Sequence, residues 1–91
     1  MLLVFRTHAI ERMSQHGIGV EAVRHVLEQG ETIRSYPDDT PCPSRLVLAW
    51  HGTRPIHVVA ADGIQSGETF VITVYEPTPA LWEQDFRRKK P

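Results

Sequence analysis

The second half of the chain contains three short, mainly apolar segments that glycine-containing turns separate. These segments are Arg45–His51, Ile56–Asp62 and Thr69–Tyr75. Connections this short favour antiparallel pairing, because parallel strands need a crossover of a dozen or more residues. A further segment, Thr32–Tyr36, precedes them and ends at a Pro-Asp-Asp turn. The pattern therefore predicts an antiparallel sheet of about four strands.

The first thirty residues predict two short helices that pack on this sheet. The helices His8–His16 and Val20–Gln29 each end at a glycine and carry apolar residues at helical spacing. Helices of this length are marginal alone, so each must bury one side against the sheet. Leu2–Phe5, a short strand or an apolar arm, precedes them, and a short helix, Ala80–Arg87, follows the sheet. This order predicts an α+β fold with its helices on one sheet face.

The length and the charge distribution limit the domain organisation and the partners. A chain of 91 residues supports one core, so we expect a single domain over residues 1–91, with 88–91 as a frayed basic tail. The net charge is −1, but four of the ten cations lie within 87–90. Six cations against eleven acidic residues leave residues 1–86 at −5. Phosphate binding must therefore come from a local cluster of charges.

Several classes of site and location are disfavoured by the sequence. Cys42 is the single cysteine, which excludes an internal disulfide and a multi-cysteine zinc site. The five histidines form no His-Glu-x-x-His pattern and no closely spaced Cys/His pair. No stretch approaches the ~20 apolar residues of a membrane span. We expect a cytoplasmic protein without metal, cofactor or membrane association.

Alternation along the strands predicts a polar patch on one face of the sheet. If both hairpin loops have an odd number of residues, Arg45, His57, Thr73 and Tyr75 share that face, whereas an even loop would separate them. Histidine exchanges protons near neutral pH, arginine binds phosphate oxygens, and tyrosine donates a hydrogen bond or stacks on a base. Such a set can carry acid–base chemistry on a phosphodiester. A solvated sheet face with a structural histidine is the alternative.

The first helix adds two candidate residues, His8 and Arg12. They lie four positions apart and therefore on one side of the helix. His8 is in the first turn, where unpaired backbone N–H groups favour an anion. A polar helix face, with Arg12 paired to nearby carboxylates, is the alternative. The spacing does not decide whether the helix brings His8 to the polar sheet face.

Three parts of the sequence resemble the DUF4258 family of small bacterial proteins. They are FRTHAIERM at 5–13, Gly17-Ile18, and IHVV at 56–59 leading to TVYEP at 73–77 and Trp82. The resemblance implies a fold similar to the RelE/ParE-like and barnase-like superfamily of metal-independent ribonucleases. The site residues that it implies are His8, Arg12, Arg45, His57, Thr73 and Tyr75.

The first functional hypothesis is a metal-independent, toxin-like endoribonuclease. In this hypothesis His57 removes the proton of a ribose 2′-hydroxyl, whose oxygen attacks the adjacent phosphorus. His8 protonates the departing 5′-oxygen, while Arg12 and Arg45 hold the phosphate. The product is a 2′,3′-cyclic phosphate.

The ribonuclease hypothesis also gives roles to Thr73 and Tyr75 and implies partners for the protein. In the ribonuclease hypothesis, Thr73 and Tyr75 orient the substrate or stack on a base, and the partners are RNA or the ribosome and a small antitoxin-like protein. The alternative is a non-enzymatic module with a toxin-like fold that binds a protein partner or a small anionic ligand.

Overall fold

A computed structural model describes residues 1–63 and 67–91 and contains one five-stranded sheet. The elements in chain order are β1 (Leu2–Phe5), α1 (Thr7–His16), α2 (Val20–Gln29), β2 (Glu31–Tyr36), β3 (Ser44–His51), β4 (Arg54–Asp62) and β5 (Glu68–Tyr75). The strand order across the sheet is β1-β5-β4-β3-β2. The expected α+β fold is therefore confirmed. Within the described ranges, no helix has the length and apolar character needed to cross a membrane.

The sheet is mixed, because the N-terminal strand joins it as a fifth, parallel strand. β1 pairs with β5 in parallel, with Leu3 opposite Thr69 and Phe5 opposite Val71. Every other pair of neighbours in the sheet is antiparallel. Parallel pairing is feasible here because nearly the whole chain lies between the two strands and supplies the crossover.

The core lies between the sheet and the two helices. Both helices are amphipathic, and their apolar sides pack on the same face of β3, β4 and β5. Members of this core with no exposed surface are Ala9, Val23, Val26, Ile56, Val58, Ala60, Val71 and Val74. The core therefore covers one face of the sheet and leaves the opposite face for other contacts.

Arg54 fixes the end of α1 against the sheet. The helix stops at Gly17, whose φ of 63° lies in the left-handed region that glycine adopts readily. Nη2 of Arg54 donates to the carbonyl of His16 at 2.8 Å, and Nη1 donates to the carbonyl of Gly17 at 3.2 Å. Its Nε donates to Glu76 at 2.8 Å. These bonds hold α1 beside the end of β5.

Residues 77–91 form an irregular segment, which we call the C-terminal strap. The prediction of a helix over Ala80–Arg87 is wrong. Trp82 instead forms an isolated antiparallel bridge with Lys89, and the N–H of Lys90 donates to the carbonyl of Leu81 at 2.9 Å. The N–H of Glu83 donates to the carbonyl of Arg88 at 2.8 Å. The backbone of residues 88–90 is thus paired with residues 81–83 of the same strap, whereas we expected 88–91 to fray.

The contacts of the strap with the sheet explain why it is not helical. Trp82 is only 4% exposed and packs on His57, and the backbone of Phe86 turns through a φ of 56°. A helix over the same residues would not allow that left-handed φ. Tertiary contacts thus override the local helical pattern.

Candidate active site

The sheet face away from the helices carries three rows of side chains that run across the strands. Residues paired across strands point to the same side, so the register defines each row. The first row is Glu31, Leu48, His57 and Tyr75. The middle row is Arg34, Leu46, Val59 and Thr73. The third row is Tyr36, Ser44, Ala61 and Phe70. The C-terminal strap covers the first row, and residues 39–42 with Arg6 border the third. We call the region over the middle row the central groove.

His57 lies at the bottom of the first row and is fully buried. Its Nε2 is 2.8 Å from the carbonyl oxygen of Phe86, and its Nδ1 is 3.2 Å from the hydroxyl of Tyr75. A carbonyl can only accept, so Nε2 carries the hydrogen and Nδ1 accepts from Tyr75. The ring of Trp82 packs edge-on, with its centroid 4.5 Å away. His57 is therefore a neutral histidine with both nitrogens bonded.

Burial lowers the pKa of His57, and the bond to the carbonyl of Phe86 opposes this shift only in part. Because both ring nitrogens are bonded within the protein, the imidazole cannot contact a ribose hydroxyl directly while the strap is in place. A ligand in the central groove reaches His57 only through the hydroxyl of Tyr75. This geometry differs from the expected role of His57 as a base in direct contact with substrate.

The hydroxyl of Tyr75 bonds to His57 and is influenced by charged and polar groups of other elements. Burial raises the pKa of Tyr75, and Tyr36 raises it further, whereas the charges of Arg34 and Arg12 lower it. Arg34 and Tyr36 belong to β2, and Arg12 belongs to α1. One other tyrosine and two arginines, from β2 and α1, therefore act electrostatically on this one hydroxyl group of β5.

Arg34 and Tyr36 are site residues that the sequence analysis missed. They lie two positions apart in β2, which places them on one face of the strand. The spacing could have indicated this, but a register shift between Thr32 and Arg34 changes which side of β2 faces the groove. Thr32 pairs with Val47 on the helix-covered face, while Arg34 pairs with Leu46 on the open one.

Among the described residues, Arg12 and Arg34 form no ion pair with a carboxylate, whereas most of the other arginines do. Arg12 makes one long hydrogen bond, 3.5 Å to Gln15, and Arg34 forms no ion pair with any residue that the structure describes. The ion pairs elsewhere are Arg45–Asp62, Arg54–Glu76, Arg87–Glu31 and Arg88–Asp85. The positive charge of Arg12 and Arg34 is thus available to an anionic ligand.

The helix α1 brings Arg12 to a cavity that Tyr75 also lines, whereas His8 is not among the residues that line it. A cavity of about 380 Å³ between α1 and the strap is lined by Arg12, His16, Tyr75, Trp82 and Lys89 among others. It exists because β1 pairs only with Glu68–Val71 and leaves the end of β5 open. His8 is exposed one turn before Arg12, on the same side of the helix.

Arg45 does not share a face with His57, which corrects the expectation. The β3–β4 loop has two residues, since His51 pairs with Arg54, and an even loop separates the sets as the alternation argument allowed. Arg45 pairs with Ala60 on the helix-covered face, and its Nε donates to Asp62 at 3.2 Å. Thr73, in contrast, lies half-buried in the middle row opposite Val59.

Metal-ligating side chains do not cluster in the part of the chain that the structure describes. No group of three or more histidine, cysteine or acidic residues there could hold a metal ion. His25 and His51 lie near each other, with ring centroids 6.2 Å apart, but without a third ligand among the described residues. The candidate site thus consists of hydrogen-bonding and cationic groups.

The fold and the groove define a small α+β protein with an arginine- and tyrosine-lined face on a mixed sheet. The family model described as Domain of unknown function (DUF4258) matches residues 5–76, and the chain belongs to this family. The match includes β2 to β5, both helices and every candidate residue, whereas the strap lies beyond it. No curated protein and no solved structure matches the chain.

Proposed function

We propose that the protein is an endoribonuclease that works without a metal ion, with the central groove as its active site. One observation carries the proposal: the hydroxyl of Tyr75 donates to the buried His57 at 3.2 Å, beside Arg12 and Arg34, which form no ion pair within the described residues and whose charges lower the pKa of Tyr75. This combination supplies charge for a phosphate and a path for a proton.

Substrate binding would depend on the arginines and tyrosines of the groove. The guanidinium groups of Arg12 and Arg34 can donate paired hydrogen bonds to phosphate oxygens. Tyr36 and Tyr75 offer hydroxyl groups and aromatic faces to an unstacked base, the form in which single-stranded RNA is recognised. The negative charge of residues 1–86 does not prevent this, because several of the acidic groups are paired with other arginines.

The chemical step follows from the Tyr75–His57 hydrogen bond. The ribose 2′-oxygen attacks the adjacent phosphorus while its proton passes to the oxygen of Tyr75. The hydroxyl proton of Tyr75 passes at the same time to Nδ1 of His57, which becomes an imidazolium. The bond between phosphorus and the 5′-oxygen breaks, and the products are a 2′,3′-cyclic phosphate and a 5′-hydroxyl. Arg12 and Arg34 stabilise the charge on the phosphate oxygens.

His8 would complete the proton balance as the acid for the leaving group. It is exposed, and it lies one turn from Arg12 on the same side of α1. In its protonated form it gives a proton to the departing 5′-oxygen. Because burial opposes a charge on His57, proton uptake there costs free energy, and we expect slow cleavage.

The biological setting of this proposal is that of a toxin-like ribonuclease in the cytoplasm. Its target would be RNA, either free or within the ribosome. A small antitoxin-like protein would be the partner that controls it, by covering the groove.

A second candidate function is binding of an anionic ligand or a protein without catalysis. The observation in its favour is that His57 is sealed beneath the strap, with both nitrogens bonded and its pKa lowered by burial. In this case Arg12, Arg34 and Tyr75 form a recognition surface, and His57 only positions Tyr75.

Product analysis separates the two functions. Single-stranded RNA oligonucleotides are incubated with the purified chain and a chelator, and the products are identified by mass spectrometry. The proposal predicts fragments with 2′,3′-cyclic phosphate and 5′-hydroxyl ends, and none from 2′-deoxy oligonucleotides. The Arg24→Gln protein, changed on α2 away from the groove, is the matched control and should cleave normally.

Three results would count against cleavage by this site. Fragments from 2′-deoxy oligonucleotides, or equal cleavage by an Arg34→Gln protein, would indicate a contaminating nuclease. Binding of the intact RNA without any cyclic phosphate would support the second candidate.

A further inference from the structure

A second cavity, of about 380 Å³, lies at the third row of the groove face and has no part in the mechanism above. Its lining comes from the sheet, from Arg6 and from the loop of residues 39–42. We propose that this cavity binds a nucleobase of the RNA strand, with a preference for bases that carry an exocyclic amino group. The inference rests on the proposed function, because the same strand would occupy the central groove.

Phe70 and Arg6 provide the stacking surface and the charge. The guanidinium carbon of Arg6 lies 5.0 Å from the centroid of the Phe70 ring, and the backbone N–H of Arg6 donates to the carbonyl of Val71 at 3.0 Å. Arg6 has no carboxylate partner among residues 1–63 and 67–91. An arginine plane beside an aromatic ring is a surface on which bases stack, and its charge can meet the attached phosphate.

Asp39 provides the polar recognition at the loop side of the cavity. One carboxylate oxygen, Oδ2, accepts a hydrogen bond from the hydroxyl of Ser44, and its backbone N–H donates to the carbonyl of Tyr36 at 3.2 Å. The other oxygen, Oδ1, accepts no hydrogen bond from the described part of the chain. A carboxylate accepts from amino groups, which adenine, cytosine and guanine carry and uracil lacks.

The size and position of the cavity fit a base beyond the reacting nucleotide. Its volume lies within the range of sites that hold small molecules. Phe70 precedes Tyr75 by five positions in β5, which corresponds to ~16 Å along a strand. The cavity and the Tyr75 hydroxyl would therefore contact different nucleotides of one strand.

Cys42 makes the cavity directly measurable, because it lines the cavity and is the single cysteine of the chain. Its alkylation by iodoacetamide, an uncharged reagent, is followed with and without nucleoside 5′-monophosphates. We expect AMP, CMP and GMP to slow alkylation severalfold at saturation. UMP should protect at least threefold more weakly, and ribose 5-phosphate should not protect.

Two variants test the assigned contacts. Phe70→Leu and Arg6→Gln should each weaken the protecting affinity about tenfold, as expected for loss of a stacking partner. Arg24→Gln on α2 is the matched control, and nucleotides should protect its Cys42 with the wild-type affinity. Since Arg6 is exposed, Arg6→Gln keeps the test decisive if Phe70→Leu does not fold.

The outcomes separate this inference from the ribonuclease proposal. Protection by no mononucleotide, equal protection by ribose 5-phosphate, or an unchanged nucleotide affinity in Arg6→Gln would overturn the nucleobase site. These measurements need no cleavage. If nucleotides protect Cys42 but the protein cuts no RNA, only the proposed catalysis is refuted. If the protein cuts RNA but nucleotides do not protect Cys42, only the proposed nucleobase site is refuted.

Discussion

The Nε2 atom of His57 donates to the backbone carbonyl of Phe86 at 2.8 Å, and this bond joins the middle of the sheet to the C-terminal strap. The other ring nitrogen, Nδ1, accepts a hydrogen bond from the hydroxyl of Tyr75 at 3.2 Å. One buried imidazole thus holds the strap in place and orients the tyrosine that faces the central groove. The stability of the strap and the geometry of the site depend on the same side chain.

Acidification is expected to destabilise the fold through His57. Burial lowers its pKa below 6.5, so the unfolded chain takes up this proton at a higher pH than the folded chain. The contribution is fully present above pH 6.5 and is lost as the pH falls below it, by at most about 1.4 kcal/mol per pH unit. Urea unfolding at pH 7.5 and 5.5 measures the loss.

The matched variant for this prediction is His57→Gln, whose side-chain N–H can still donate to the carbonyl of Phe86. The variant has no proton to gain in this range, so its stability should change less between the two pH values. If wild type and variant lose the same free energy of unfolding, His57 is not the group responsible.

Trp82 should contribute far more to stability than its neighbour Leu81. Trp82 is 4% exposed against His57, whereas Leu81 is 59% exposed. Trp82→Ala is expected to lower the free energy of unfolding by about 3 kcal/mol, and Leu81→Ala by about 0.5 kcal/mol or less. Denaturant titration of both proteins gives the comparison. Similar small losses would mean that the strap is not packed on His57 in solution.

Gly30 should not tolerate a side chain, although its φ of −79° is ordinary for any residue. A Cβ atom there would meet the carbonyl of Val26 and would lie 2.7 Å from Cγ1 of Val47 and 2.8 Å from the carbonyl of Leu48. We expect Gly30→Ala to cost about 3 kcal/mol, because two of these neighbours are backbone atoms.

Gly19 is the control for Gly30, since a Cβ there meets nothing within 4 Å. It is also the residue that precedes a helix. Gly19→Ala should therefore change the free energy of unfolding by about 1 kcal/mol or less. Equal losses in the two alanine variants would contradict the close approach of α2 to β3 at Gly30.

Arg34 should contribute one cationic contact to RNA binding by the groove. Replacement by glutamine removes one cationic contact, so the affinity should fall and the slope of log K against log salt should decrease by about 0.7. Fluorescence anisotropy with a labelled RNA oligonucleotide at several salt concentrations measures both. An unchanged slope would place the phosphates elsewhere, and Arg24→Gln should show wild-type behaviour.

The helices and strands could be predicted from the sequence because local patterns determine them. The expected bounds of the second helix, Val20–Gln29, match the structure, and the first begins one residue earlier than expected. Glycine stops and apolar spacing contain this information within about ten residues.

The assignment of residues to sheet faces depends on details that local patterns do not contain. The two-residue turn at 52–53 places Arg45 opposite Ala60 on the helix-covered face, away from the central groove. A register shift near Ile33 brings Arg34 to the groove instead. In both cases one residue more or less in a turn or bulge moves the following side chains to the opposite face of the sheet.

The strap was unpredictable for a different reason. Its helical pattern is local, but its structure depends on contacts with residues about thirty positions earlier, such as the bond between Phe86 and His57. Such long-range contacts are decided by the packed sheet and are absent from the local sequence pattern.

The central claim is that the Tyr75 hydroxyl carries the proton of the attacking ribose hydroxyl. The single-turnover rate of RNA cleavage by a Tyr75→Phe protein tests this claim most directly, because phenylalanine keeps the ring and removes only the hydroxyl. We predict a fall of about 100-fold or more, with RNA affinity within a few-fold of wild type. Cleavage by Tyr75→Phe at the wild-type rate would contradict the account.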